Sequence, residues 1–111
     1  PPIIFGAMGP MGLRHTAQWA DGWMPVDIAL PDIPKAIAEF YNQVESFGRN
    51  PDEVEITMVV MAPVSGDLLK SYRDMGIHRC NIGVGVENWD RPEVVMPMIE
   101  KFAKLIPELI D

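Results

Sequence analysis

Four short apolar segments alternate along the chain with four segments whose apolar residues recur every three or four positions. A short apolar run is typical of a buried strand, and the longer spacing is typical of one face of a helix. The predicted order is therefore β-α-β-α-β-α-β-α, with connections too long for hairpins. Alternation of this kind favours a parallel sheet with right-handed crossovers. We therefore predict an α/β fold of four β-α units.

Four units of about 28 residues amount to half of a (β/α)₈ barrel, which typically needs about 250 residues. A freestanding, doubly wound, four-stranded sheet is the alternative. We prefer the half-barrel because a lone open sheet leaves two apolar edges that must be covered. The chain starts at Pro1 without an initiating methionine and reaches a buried-type strand at once. We expect residues 1–111 to be one partial domain from the carboxyl-terminal part of a longer polypeptide.

Residues that start and stop helices set the predicted boundaries. Asp32 and Ser65 are candidate N-caps, and Gly48 and Gly76 can adopt the left-handed conformation that ends a helix. The predicted strands cover 3–5, 23–24, 54–62 and 77–84, and the first three predicted helices cover 10–20, 33–47 and 66–75. The last helix is predicted from a capping box between Asp90 and Glu93 and a stripe from Val95 to Leu109, with a kink or a later start at Pro97.

The first predicted strand ends in a glycine turn that opens directly onto a helix beginning at Pro10. Unpaired backbone amides and the positive end of the helix dipole meet there, and both favour an anion. Gly6 and Gly9 allow a phosphate to approach the main chain without meeting a Cβ. The pattern Gly-x-x-Gly-Pro lacks the third glycine of a dinucleotide fingerprint and the Lys-Ser/Thr of a P-loop. On the residues alone, a tight turn without a ligand is an equally good interpretation.

Few side chains in the predicted loops are suited to catalysis, and no catalytic residue is identified. Asp27 is the best-placed carboxylate, although a solvated loop aspartate is the favoured interpretation. Ser65 is interpreted as a helix cap rather than a nucleophile. His78 and Cys80 alternate in a strand without a second ligand pair, so no metal site is predicted. Trp89 either covers a planar ligand or packs in a core or an interface.

The formal net charge of −7 argues against nucleic acid and anionic membranes as partners. The single cysteine is compatible with a reducing cytosol. No apolar run approaches the roughly 18 residues that a membrane-spanning helix needs, and no signal peptide is evident. We expect a soluble, cytoplasmic protein.

Several segments resemble the bacterial luciferase-like monooxygenase family, and above all its branch that uses the deazaflavin coenzyme F420. The main likeness is the run Pro2-Ile-Ile-Phe-Gly-Ala-Met-Gly-Pro10 followed by Ala20-Asp-Gly-Trp-Met-Pro25. Gly48-Arg-Asn-Pro-Asp-Glu-Val54 is similar to the connection that leads into the family's seventh strand. Leu69–Tyr72 and Gly76–Arg79 are similar to its next helix and to the start of its last strand. The resemblance spans nearly the whole chain.

This resemblance implies a TIM barrel in which the chain supplies strands five to eight. It implies an oxidoreductase that transfers a hydride between F420 and an organic substrate, or alternatively an FMN-dependent monooxygenase. The cofactor-binding residues implied are Gly6, Ala7, Met8 and Gly9, with Pro25, Val26 and Asp27 as weaker candidates, since an aspartate there would repel a phosphate. Two further hypotheses are a non-catalytic half-barrel that pairs with itself or with a separate amino-terminal chain, and a phosphate-binding barrel domain without redox function.

Overall fold

A computed structural model describes residues 1–83 and 86–110 of the chain. Four parallel strands form one sheet in the order β1-β2-β3-β4; they are Ile4–Phe5, Gly22–Trp23, Glu55–Val60 and Arg79–Ile82. Neighbours in the sheet are also neighbours along the chain, so the strand order does not reverse as it does in a doubly wound sheet. The α/β class is confirmed, and the order is consistent with half of an α/β barrel.

Helices separate or follow the strands, as the alternation predicts. They are α1 Pro10–Trp19, α2 Ile33–Ser46, α3 Gly66–Asp74, α4 Pro92–Ala103 and α5 Ile106–Leu109. Short 3₁₀ turns lie at Asp27–Ala29, Pro51–Glu53 and Val86–Asn88. Within the described residues, no helix has both the length and the apolar character that crossing a membrane requires.

The predicted caps of α2 and α3 are confirmed. The Asp32 carboxylate accepts a hydrogen bond from the Lys35 amide at 3.1 Å, and the Ser65 hydroxyl accepts one from the Leu68 amide at 3.1 Å. Gly48 and Gly76 have φ angles of 75° and 94°, the left-handed conformation predicted where these helices end.

The start of the last helix differs from the prediction. Arg91, not Asp90, is the N-cap of α4, because Pro92 takes the first helical position; the Arg91 side chain donates a hydrogen bond to Glu93 at 2.9 Å. The predicted capping box is therefore wrong. Pro97 lies inside α4 and does not delay its start, and the apolar stripe is divided after Ala103 between α4 and α5.

Strands β3 and β4 are shorter than predicted. β3 ends at Val60, and the next two amides donate to the Asp27 side chain instead of to a neighbouring strand. β4 begins at Arg79, and its predicted end at Val84 lies outside the described residues.

The helices cover one face of the sheet. Ile56, Met58 and Val60 alternate along β3 toward this face and are buried, together with Phe40 of α2 and other members of one core cluster. Trp23 of β2 stacks on Phe40 with ring centroids 4.7 Å apart. The intervening residues of β3, which point to the opposite face, are only partly buried. The core therefore lies between the sheet and the helices.

Candidate functional site

The glycine turn lies where it was predicted, between β1 and α1. Gly9 is the N-cap of α1, with φ −77° and ψ 161°, and no side chain caps the helix. Among the described residues, the backbone amides of residues 6–9 donate no hydrogen bond. These amides lie next to the positive end of the α1 dipole and are available to an anion or to water.

Two contacts hold this turn in place. The indole Nε1 of Trp23 donates a hydrogen bond to the carbonyl of Ala7 at 2.8 Å. A Cβ on Gly12 would come within 2.7 Å of the Ala7 Cβ, so the first turn of α1 packs directly against Ala7. Gly9, in contrast, faces open space, since a Cβ there would meet nothing within 4 Å. The turn is thus anchored on its inner side and open at the start of the helix.

A cavity of about 340 Å³ adjoins the turn. Met8 of the turn and Trp23 of β2 line it, together with Leu13 of α1 and the segment that leads into α2. Its polar residues come from the start of α2 and are of both signs: Asp32, Lys35 and Glu39. The cavity therefore meets the turn at Met8 and carries two acidic side chains and one basic side chain on its α2 side.

The second predicted segment, Pro25 to Asp27, has a different environment. Pro25 is buried, and its carbonyl accepts a hydrogen bond from the Val59 amide at 2.8 Å; Val26 forms a parallel bridge with Val59. Asp27 is only 4% exposed. The favoured interpretation of Asp27 as a solvated loop residue is therefore wrong. This segment extends the pairing of β2 with β3 at the carboxyl end of the sheet.

Four donors surround the buried carboxylate of Asp27. They are the amides of Ile28 at 2.7 Å, Met61 at 2.8 Å and Ala62 at 3.3 Å, and the hydroxyl of Tyr72 at 2.9 Å. Asp27 thereby connects the loop after β2, the loop after β3 and helix α3. Both carboxylate oxygens accept hydrogen bonds, and none of the described side chains of opposite charge takes part.

This arrangement determines the protonation of the residues around Asp27. Burial raises the pKa of Asp27, but the hydrogen bonds from Met61, Tyr72, Ala62 and Ile28 outweigh it and lower the pKa below its usual value. Burial and the bond to Asp27 raise the pKa of Tyr72 to about 12. Burial, followed by the charge of Asp27, also raises the pKa of the Cys80 thiol. Asp27 is therefore a carboxylate at neutral pH, with Tyr72 and Cys80 protonated beside it.

The other side chains singled out in the sequence lie apart from the turn. Ser65 caps α3, as predicted. His78 accepts the Ile56 amide on Nδ1 at 3.0 Å, and Cys80 is a half-buried free thiol in β4. Within the described residues, no group of three or more His, Cys, Asp or Glu side chains is placed to hold a metal ion. Trp89 is 69% exposed, so it lies outside the core.

No protein-family model matches the chain. Over its full length it is similar to phthiodiolone/phenolphthiodiolone dimycocerosates ketoreductases of mycobacteria. The identity is 26% over 118 residues for the proteins of Mycobacterium bovis and Mycobacterium tuberculosis, and 29% over 119 residues for that of Mycobacterium kansasii. The chain spans 31% to 32% of the length of these relatives. The similarity is thus a distant one, to about a third of each ketoreductase.

Proposed function

We propose that this chain is the carboxyl-terminal part of an F420-dependent oxidoreductase, in which it supplies strands five to eight of a (β/α)₈ barrel. The parallel sheet with its unreversed strand order supports the half-barrel. The distant similarity to proteins named ketoreductases supports an oxidoreductase. F420 itself rests on the resemblance of the glycine turn and the Ala20–Pro25 segment to the deazaflavin-using branch of the luciferase-like family.

One observation supports the assignment to a site: within residues 1–83 and 86–110, the amides of the turn at the start of α1 donate no hydrogen bond; they belong to Gly6, Ala7, Met8 and Gly9. These residues fit the negatively charged tail of such a cofactor, because several amides and a helix N-terminus favour a phosphate. The open space at Gly9 leaves room for the approach. Pro25, Val26 and Asp27 fit this role less well, because Pro25 has no N–H, the carbonyls of Pro25 and Val26 already accept hydrogen bonds, and the buried Asp27 carboxylate would repel a phosphate. We assign the phosphate contacts to the turn alone.

The bound cofactor would supply the redox chemistry, a hydride carried at C5 of the deazaflavin or at N5 if the cofactor is FMN. The part of this chain is to hold the anionic tail and to exclude water around it. The names of the relatives point to a ketone as the organic substrate. Asp27 has no proton to give at neutral pH, and we do not assign it an acid role.

Binding experiments with F420 and FMN test this proposal. In ¹H-¹⁵N spectra of the 111-residue chain, F420 is expected to shift the amide signals of residues 6–9, and isothermal titration gives the affinity. Gly9→Ala is the matched variant. A Cβ at residue 9 would have no protein atom within 4 Å, and it would occupy the open side of the turn where the phosphate is expected to bind. We expect the variant to keep its fold and to bind about tenfold more weakly or worse, a loss of roughly 1.4 kcal/mol.

The outcomes separate the hypotheses. Tighter binding of FMN than of F420 would favour the FMN-dependent monooxygenase. Binding of inorganic phosphate without either cofactor would favour a phosphate-binding barrel domain. Unchanged amide signals of residues 6–9 at millimolar F420 and FMN would overturn the proposal.

A second candidate is a non-catalytic half-barrel that acts by assembling with itself or with a separate chain. Among the described residues, no strand pairs with the outer edge of β1 or of β4. A mostly apolar cavity of about 440 Å³ lies between β4 and the helices α3, α4 and α5, and it leaves apolar surface of this part of the chain uncovered. Light scattering tests this candidate: a chain that stays monomeric across a wide concentration range would contradict self-assembly.

A further inference from the structure

The core fixes the orientation of Trp23. The residue is 1% exposed, and its ring stacks on Phe40 with an interplanar angle of 30°. From this position the indole N–H reaches the carbonyl of Ala7 at 2.8 Å, across 16 positions of sequence. A buried indole N–H requires an acceptor, and here the acceptor belongs to the glycine turn.

This bond also fixes the direction of an amide. The described residues contain no cis peptide bond, and in a trans peptide the C=O and N–H groups point in opposite directions. The carbonyl of Ala7 and the amide of Met8 belong to one peptide unit. Because the carbonyl points at Trp23, the Met8 amide points away from the indole and from the core.

The backbone of β2 orients a second amide in the same way. The Met24 amide donates to the carbonyl of Phe5 at 2.8 Å, so the amide of Gly6, in the same peptide unit as that carbonyl, points away from β2. Neither Gly6 nor Met8 donates a hydrogen bond among the described residues. The contact between Gly12 and Ala7 prevents the turn from moving toward α1.

We infer that Trp23 is a positioning residue of the anion site: its indole N–H holds the Ala7 carbonyl inward and so presents the Met8 amide to a phosphate group. This inference rests on the proposed function of the turn. The one residue at the end of β2 thus supplies both the aromatic ring that stacks on Phe40 and the N–H that reaches Ala7.

Trp23→Phe is the decisive variant, because it keeps an aromatic ring against Phe40 and removes the N–H. Trp19→Phe is its matched control: Trp19 is the last residue of α1, packs on Phe5, the residue before the turn, and donates no side-chain hydrogen bond among the described residues. Gly12→Ala is a second variant, which displaces Ala7 by contact and leaves Trp23 intact. All three are made in the 111-residue chain.

Two measurements separate this inference from the proposed function. Residual dipolar couplings without ligand report the orientation of the Met8 N–H bond; we expect a change in Trp23→Phe and Gly12→Ala and none in Trp19→Phe. Titration with inorganic phosphate and F420 then gives affinity, with a roughly tenfold loss expected in the first two variants. An unchanged Met8 coupling in folded Trp23→Phe and Gly12→Ala would overturn the inference, even if the wild type binds phosphate. A further outcome is that the Met8 coupling changes in the two variants while the wild type binds neither phosphate nor F420. That result would support the orientation of the turn by Trp23 and would overturn the anion site.

Discussion

The hydroxyl of Tyr72 donates a hydrogen bond of 2.9 Å to the carboxylate of Asp27, and both residues are only 4% exposed. The two residues are 45 positions apart in the sequence. Through this bond α3 is held to the loop after β2, while the same carboxylate binds the amides that follow β3. The carboxyl end of the sheet, where barrel enzymes place their sites, is therefore fixed by one buried charge with polar partners only.

Removing the charge of Asp27 should be costly. Asp27→Asn keeps the size of the side chain but replaces one carboxylate oxygen by an NH₂ group. Because each oxygen accepts from two donors, the NH₂ group would face N–H or O–H donors and leave them without an acceptor. We expect a loss of about 3 kcal/mol in the free energy of unfolding, measured with urea. Tyr72→Phe removes one of four donors and should cost about 1 kcal/mol. Equal stability of Asp27→Asn and the wild type would contradict the assigned hydrogen bonds.

The same pair predicts a loss of stability at high pH. The pKa of Tyr72 is raised in the folded protein from about 10 to about 12, so its contribution is complete below the unfolded pKa and is lost between these values as pH rises. Tyr72→Phe lacks this group, whereas Tyr41, whose pKa is also raised, is common to both proteins. Unfolding measured from about pH 9 to 12 should show the wild type losing stability relative to Tyr72→Phe. A constant difference across this range would refute the prediction.

At low pH the dependence of stability on pH has the opposite sign, because Asp27 loses its contribution as the pH falls. The pKa of Asp27 is lowered by folding, so its contribution is present above the ordinary aspartate value and is lost as pH falls through the lower folded value. The free energy of unfolding of the wild type should therefore fall more steeply with decreasing pH below about pH 4. This additional fall should be absent in Asp27→Asn. Identical acid slopes for the two proteins would contradict the lowered pKa.

Arg49 stabilises the end of α1 from the far end of α2. Its guanidinium donates to the carbonyls of Ala17 at 2.9 Å and Ala20 at 2.7 Å, where cations interact favourably with the helix dipole. Arg49→Lys cannot reproduce this two-pronged contact and should cost about 1 to 2 kcal/mol in urea unfolding. Arg14→Lys is the control: Arg14 is exposed on α1, its guanidinium lies 6.0 Å from the centre of the Phe47 ring, and lysine keeps the positive charge there, so the change should stay within about 0.5 kcal/mol.

The features that were correctly predicted from the sequence depend on neighbouring residues. Asp32 and Ser65 bond to amides three positions on, and Gly48 and Gly76 adopt a conformation that few other residues allow. The glycine turn is local in the same sense. The roles of Asp27, Arg49 and Trp23 could not be predicted this way, because their partners, apart from the Ile28 amide next to Asp27, lie 16 to 45 positions away. In the sequence, Arg49 is singled out only as part of a segment that resembles a known family. The structure shows its physical role, which is to bind the carbonyls at the end of α1.

Helix α4 should be the least protected of the longer helices. It has an apolar stripe, yet none of its residues, all of which are described, is buried, whereas α2 buries Ile37, Phe40 and Val44. Exchange of backbone amides reflects local opening, which buried apolar contacts oppose. We expect α4 to exchange markedly faster than α2 in hydrogen–deuterium exchange of the 111-residue chain, with α3, which buries Leu69 and Tyr72, as the matched reference. Protection of α4 equal to that of α2 would mean that its apolar face is already covered in solution, as self-assembly over the cavity beside β4 would require.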